Sequence, residues 1–80
     1  MQPITSIQEC NAAAQAIGNS DITATETRGS PLPEGCYDVG GLWFAISPEN
    51  KGNGADSTRH PICKTGFLHI WYMSTVKLVE

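Results

Sequence analysis

Three cysteines in a chain of only 80 residues are the feature that most constrains how this protein can fold. A chain of this length is one domain that buries roughly 60% of its unfolded surface, so its core is small. Such chains usually need a disulfide, a metal or a partner to stay folded. The cysteines are the obvious candidates, and their odd number leaves one thiol without a partner inside the chain. They are Cys10, Cys36 and Cys63.

The charge distribution argues against nucleic acid as a partner. The chain has five basic and eight acidic residues, a formal net charge of −3, and its basic residues are scattered singly. A nucleic-acid-binding face needs clustered Lys and Arg. No segment reaches the roughly 18 apolar residues of a membrane span, because the best candidate, residues 67–79, is short and interrupted by polar side chains. We therefore expect no nucleic acid partner and no transmembrane segment.

The N-terminal part of the chain predicts a helix over about residues 7–17. Ser6 and Glu9 have the spacing of a capping box, in which both side chains satisfy free amides at a helix start. Gly18 can adopt the left-handed conformation that ends a helix. Between these signals, apolar residues recur at helical spacing: Ile7, Cys10, Ala13, Ala14 and Ile17.

The rest of the chain predicts short strands separated by turns. The strands are expected at residues 22–27, 36–39, 42–46, 62–63 and 67–73. Gly40-Gly41 is a two-residue hairpin signal, and residues 48–61 read as a long polar loop. The expected fold class is α+β, with one N-terminal helix packed on a small antiparallel β-sheet and stapled by a disulfide.

Sequence spacing alone does not fix which cysteines pair. Cys10 on the inner helix face and Cys36 after a turn could link helix to sheet, and we predict this pair. A Cys36–Cys63 bond, a Cys10–Cys63 bond or three reduced, buried thiols are the alternatives. Closing the loop between Cys10 and Cys36 would stabilise the fold by roughly 3 kcal/mol. A disulfide would also indicate an oxidising compartment, such as an organelle lumen or the cell exterior.

Cys63 lies in the only local cluster of cysteine, histidine and basic residues. His60 lies three positions before it, and Arg59 and Lys64 flank the pair. A catalytic thiolate needs such a setting, but Pro61 favours an extended backbone and no carboxylate is placed to orient the histidine. A zinc site needs four ligands, usually in close pairs, and the chain offers one pair. We therefore expect no enzyme, no metal and no cofactor.

Aromatic residues give the clearest indication of a binding surface. In the strand at 42–46, alternation places Trp43 opposite Leu42 and Phe44. If one face of the sheet packs on the helix, the other face keeps large apolar side chains that a protein partner or ligand could cover. Loops or the C-terminal tail could cover them instead. The predicted interaction residues are Trp43, Phe67, His69, Trp71 and Met73.

Four motifs follow one another in the chain over about residues 3–64. They are Ser6-x-x-Glu9-Cys10-x-x-Ala13-Ala14, Pro33-x-Gly35-Cys36-Tyr37, Leu42-Trp43-Phe44 and Ile62-Cys63. Their order and spacing resemble a small cysteine-containing module that recurs in predicted proteins of unicellular algae. Residues 65–80 run past that module. We therefore expect residues 1–64 to form the stapled module and residues 65–80 an aromatic strand or tail that docks a partner or completes the sheet.

The resemblance also bears on the third cysteine. Members of that family carry another cysteine just before the segment that begins at Ile4, where this chain has Gln2 and Pro3. If that cysteine pairs with the one matching Cys63, the resemblance implies that Cys63 is unpaired here.

Two functions follow from these expectations. The first is a non-enzymatic structural or interaction module, an accessory subunit that is ordered by protein partners in a larger assembly, for example on the lumenal side of an algal photosystem. The second is a small secreted module that binds carbohydrate or another ligand through Trp43 or Trp71.

Overall fold

One helix packs on a sheet of six short strands in the computed structural model of the protein, which describes residues 2–65 and 70–74. The α+β class predicted from the sequence is confirmed. In chain order the elements are β1 (Gln2–Pro3), α1 (Ile7–Ala16), β2 (Thr25–Thr27), β3 (Gly35–Asp38), β4 (Leu42–Ala45), a 3₁₀ turn (Pro48–Asn50), β5 (His60–Lys64) and β6 (Trp71–Met73).

Helix α1 begins and ends at the predicted signals. The Ser6 hydroxyl accepts a hydrogen bond from the Glu9 amide at 3.1 Å, which satisfies one of the free amides of the first turn. At the other end Gly18 has a φ of +76°. Its amide donates to the Gln15 carbonyl, and the next amide, that of Asn19, donates back into the last turn. Paired bonds of this kind close a helix at a left-handed glycine.

The sheet is mixed, whereas the sequence predicted only antiparallel pairing. β3 and β4 form an antiparallel hairpin, and β5 pairs antiparallel with β1, β3 and β6. β2 pairs parallel with β4. β4 lies between β3 and β2 in the sheet. The chain therefore passes from β2 to β3 across β4, and β2 runs in the same direction as β4 and opposite to β3. The alternation of apolar residues in the sequence does not indicate whether two strands pair parallel or antiparallel.

The first predicted strand, residues 22–27, is shortened to Thr25–Thr27 because side chains capture the amides that precede it. The Thr23 amide donates to Asp21 at 3.1 Å, and the Ala24 amide donates to the Asn11 side chain of α1 at 2.7 Å. Local side-chain acceptors thus replace strand pairing at these positions.

Other strand boundaries shift by a few residues. Val39 belongs to the hairpin turn, since the last pair before it joins Asp38 to Leu42. β5 starts at His60, inside the predicted loop, because its first two residues pair with β3. Of the predicted strand at residues 67–73, the structure describes β6, while residues 66–69 lie outside the described residues.

The two faces of the sheet have different environments. We call the side that packs on α1 the helix face and the other side the outer face. The helix face and α1 enclose the hydrophobic core, which consists of Ile4, Cys10, Ala13, Ala14, Cys36, Leu42, Phe44 and Ile62. Strand register places the alternating residues Tyr37, Trp43, Pro61 and Cys63 on the outer face.

A disulfide between Cys10 and Cys36 joins α1 to β3. The Cα atoms of the two residues are 5.4 Å apart, and both residues are 0% exposed. The predicted staple is therefore present, and it lies inside the core rather than at its edge. Cys63 is a free, buried thiol.

Candidate interaction groove on the outer face

The structure does not bring the predicted interaction residues to one surface. Trp43 lies on the outer face. Trp71 pairs with Lys64 and Met73 pairs with Ile62 across β5 and β6, which places both on the helix face, because Ile62 is part of the core. Phe67 and His69 lie outside the described residues.

Trp71 connects the helix to the sheet and packs against the core. Its indole nitrogen Nε1 donates to Glu9 Oε2 at 3.2 Å, and Lys64 Nζ reaches the same oxygen at 3.2 Å. In the predicted capping box the Glu9 carboxylate accepts from an amide at the helix start, whereas here it accepts from Trp71 and Lys64 of the sheet. The sequence does not reveal this role because the three residues lie far apart in the chain.

Trp43 instead lines a groove of about 340 Å³ on the outer face. Tyr37 is its partner across the β3–β4 hairpin, and Val39, 38% exposed, comes from the turn of the same hairpin. Sequence reasoning had not placed these two residues at a site. The residues that line the groove are Thr27, Gly29, Leu32, Tyr37, Val39, Trp43 and Arg59.

The Leu32 wall of the groove is fixed by two asparagines of the predicted polar loop. Asn50 is fully buried; its side-chain oxygen accepts from the Leu32 amide and its nitrogen donates to the Gly29 carbonyl, both at 2.9 Å. The Asn53 side chain donates to the Leu32 carbonyl at 2.9 Å. Because buried amides with satisfied partners hold the backbone in one conformation, this loop forms a defined wall.

Arg59 supplies the positive charge of the groove. Its Nη1 lies 2.8 Å from Asp56 Oδ2, and Asp56 Oδ1 accepts from the Arg59 and Thr58 amides at 2.7 and 2.9 Å. The Thr58 amide and the Arg59 guanidinium hold the pKa of Asp56 at about 2. The carboxylate therefore stays ionised at neutral pH and anchors Arg59, whose side chain is 37% exposed.

Tyr37 lines the groove, although the residue is only 4% exposed. Every buried side-chain nitrogen or oxygen among the described residues has a hydrogen-bond partner. The Tyr37 hydroxyl makes no such bond with the described residues, so it is not completely buried. Burial raises the pKa of Tyr37, and the hydroxyl therefore remains protonated and can donate a hydrogen bond.

A second depression, of about 290 Å³, adjoins the groove. Leu32 and Arg59 line both, so these side chains form the boundary between them. The remaining lining of the second depression is Pro31, Pro33, Asn53, Gly54 and Asp56.

Cys63 and His60 are not brought together. His60 pairs with Asp38 on the helix face, whereas Cys63, three residues along the same strand, lies on the outer face. Burial raises the pKa of the Cys63 thiol to about 11, which disfavours the thiolate at neutral pH. The arrangement gives no support to a thiol nucleophile activated by this histidine.

In the described part of the chain, no group of three or more His, Cys, Asp or Glu residues is arranged to hold a metal ion. None of the helices in that part has the length and apolar character needed to cross a bilayer. Comparisons with models of known protein families, with curated proteins and with solved structures found no match.

Proposed function

We propose that this protein is a non-enzymatic interaction module that binds a protein partner through the outer-face groove. The observation that carries the proposal is the groove itself, in which the partly exposed Trp43 stands beside the almost fully buried Tyr37 on a pair of strands. An aromatic side chain such as that of Trp43 is favoured in protein interfaces, because it contributes a large apolar area with little conformational entropy to lose.

The rigidity of the groove supports the same function. The hairpin that carries Trp43 and Tyr37 is joined to α1 by the Cys10–Cys36 disulfide, and the opposite wall is held by Asn50. A site that is fixed before binding has less conformational freedom to lose when a partner docks.

The disulfide is consistent with an oxidising compartment. As the setting of the module we propose a larger assembly in which it is an accessory subunit. The lumenal side of a photosynthetic membrane complex fits both the disulfide and the resemblance to the algal module. Fractionation of a cell that expresses the protein tests this setting, and recovery in a reducing compartment without an assembly would contradict it.

Val39 and Ile22 provide a matched test of the groove. Both are exposed apolar residues, at 38% and 43%, but only Val39 lines the groove. A photoreactive benzophenone side chain at position 39 should give one adduct of defined mass in a native extract, and the same group at position 22 should give none. With the partner purified, Val39→Asp should weaken binding by about tenfold or more, whereas Ile22→Asp should leave it unchanged. Equal crosslinking at both positions would contradict the proposal.

Carbohydrate binding is a second candidate, now confined to Trp43. The groove combines its ring with polar side chains, whereas the indole nitrogen of Trp71 is held by Glu9 and its ring packs against the core. Trp71→Phe leaves Trp43 as the only tryptophan of the chain, since the sequence has two. Titration of this variant with a glycan panel should change the Trp43 fluorescence if the candidate is right, and no response across the panel would remove it.

A further inference from the structure

The geometry points to a specific class of partner: an extended peptide segment with an acidic side chain, whose carboxylate contacts Arg59. This inference rests on the proposed function, because it assigns the occupant of the same groove. Three properties of the groove lead to it.

The first property is shape. Two depressions, of about 340 and 290 Å³, lie next to each other with Arg59 and Leu32 between them. A single side chain would fill only one of them. An extended peptide places successive side chains several ångströms apart, so it can put an apolar group in each depression and another residue over Arg59.

The second property is hydrogen-bonding character. Among the described residues, Arg59 is the only charged side chain that lines the larger depression. The Thr27 hydroxyl already accepts from the Gly29 amide at 3.2 Å. The larger depression thus offers mainly donors, whereas the Asp56 carboxylate lines the smaller one. A carboxylate, which only accepts, is the complement of the larger depression.

The third property is the way in which Arg59 is held. A guanidinium has five N–H donors, and Asp56 engages it through Nη1. Other N–H groups of the guanidinium remain available to bind a second carboxylate. The charge of Asp56 is already met by the guanidinium and by two backbone amides. Because Asp56 already holds the Arg59 side chain in place, binding of a carboxylate costs little additional conformational entropy.

The test compares two peptide pools on the Trp71→Phe background, where Trp43 reports on the groove. One pool consists of heptapeptides with random apolar residues around a central Glu, and the other has Gln at the centre. We expect the Glu pool to change the fluorescence at about tenfold lower concentration than the Gln pool. Raising NaCl from about 50 mM to about 500 mM should reduce this preference, because the charge is partly exposed.

Arg59→Gln should abolish the preference for the Glu pool, while Arg28→Gln should retain it. Arg28 is an exposed arginine that does not line the groove, so it controls for the loss of one positive charge. Because Arg59 also binds Asp56, circular dichroism and urea unfolding are used to confirm that Arg59→Gln is folded.

The outcomes separate this inference from the proposed function. Equal binding of both pools, or a Glu preference that survives Arg59→Gln, would overturn the acidic segment and leave the groove as an interaction site. If neither pool binds and an oligosaccharide of uronic acids does, the peptide assignment is wrong. If neither pool binds and the crosslinker at position 39 also gives no adduct, the proposed function fails as well.

Discussion

The two faces of the same small sheet are stabilised by different means. The helix face is closed by apolar packing around a buried disulfide, with Leu42 and Ile62 almost fully hidden. Part of the outer face is covered by loops that are held by side-chain amides, and the rest opens into the groove around Trp43. In so short a chain, the core lies on the helix face, while the outer face keeps an open groove beside its buried residues.

The cysteines follow the same division. The disulfide lies on the helix face, where α1 brings Cys10 against the sheet, and the free thiol of Cys63 lies on the outer face. The sheet therefore separates them, and thiol–disulfide exchange between them would require unfolding.

Removal of the disulfide should have the largest effect. We expect the double variant Cys10→Ala, Cys36→Ala to lower the free energy of unfolding by about 3.5 kcal/mol, because the unfolded chain regains the freedom of a loop of 26 residues. Urea unfolding measures the loss. Cys63→Ala is the control on the outer face and should cost about 1 kcal/mol. A cost for the control as large as for the double variant would contradict the contrast between the faces.

Leu42 and Trp43 test the same contrast with adjacent residues of β4. Leu42→Ala should lower the free energy of unfolding by about 3 kcal/mol, because it leaves a cavity in the core. Trp43→Ala should cost about 1 kcal/mol, since the larger side chain is only partly buried and lines an open groove. Thermal or urea unfolding distinguishes the two. Equal losses would show that the outer face contributes as much packing as the helix face.

Pro3→Cys should give a smaller, stabilising effect of about 2 kcal/mol through a second disulfide. Pro3 is the direct partner of Cys63 in the β1–β5 ladder, and paired residues of antiparallel strands lie at a separation that a disulfide can span. The oxidised variant should have no free thiol under denaturing conditions.

Gln2→Cys is the control for that experiment, because Gln2 pairs with Lys64 on the opposite face. It should retain two free thiols. Retention of the free thiols in both variants would show that the β1–β5 register is different from the one described.

Local sequence signals predicted the structure correctly wherever the hydrogen-bond partners are neighbours in sequence. The start of α1 at Ser6 and its end at Gly18 depend on bonds within a few residues, and both were predicted. The hairpin that carries Trp43 was predicted for the same reason, although its turn also takes in Val39. The groove could not be predicted, because Leu32 and Arg59 reach it from separate loops whose positions depend on Asn50 and Asp56.

The sequence by itself determined the helix, most of the strands and the inward direction of Leu42 and Phe44, because period and capping are properties of neighbouring residues. Tertiary structure decided which residues share a face across separate strands. The β5–β6 register turned Trp71 toward Glu9 and away from Trp43. Pairing with β3 extended β5 back to His60, and alternation along this one strand then placed His60 and Cys63 on opposite sides of the sheet. Register depends on long-range pairing and core packing, and a shift of one residue would reverse every such assignment.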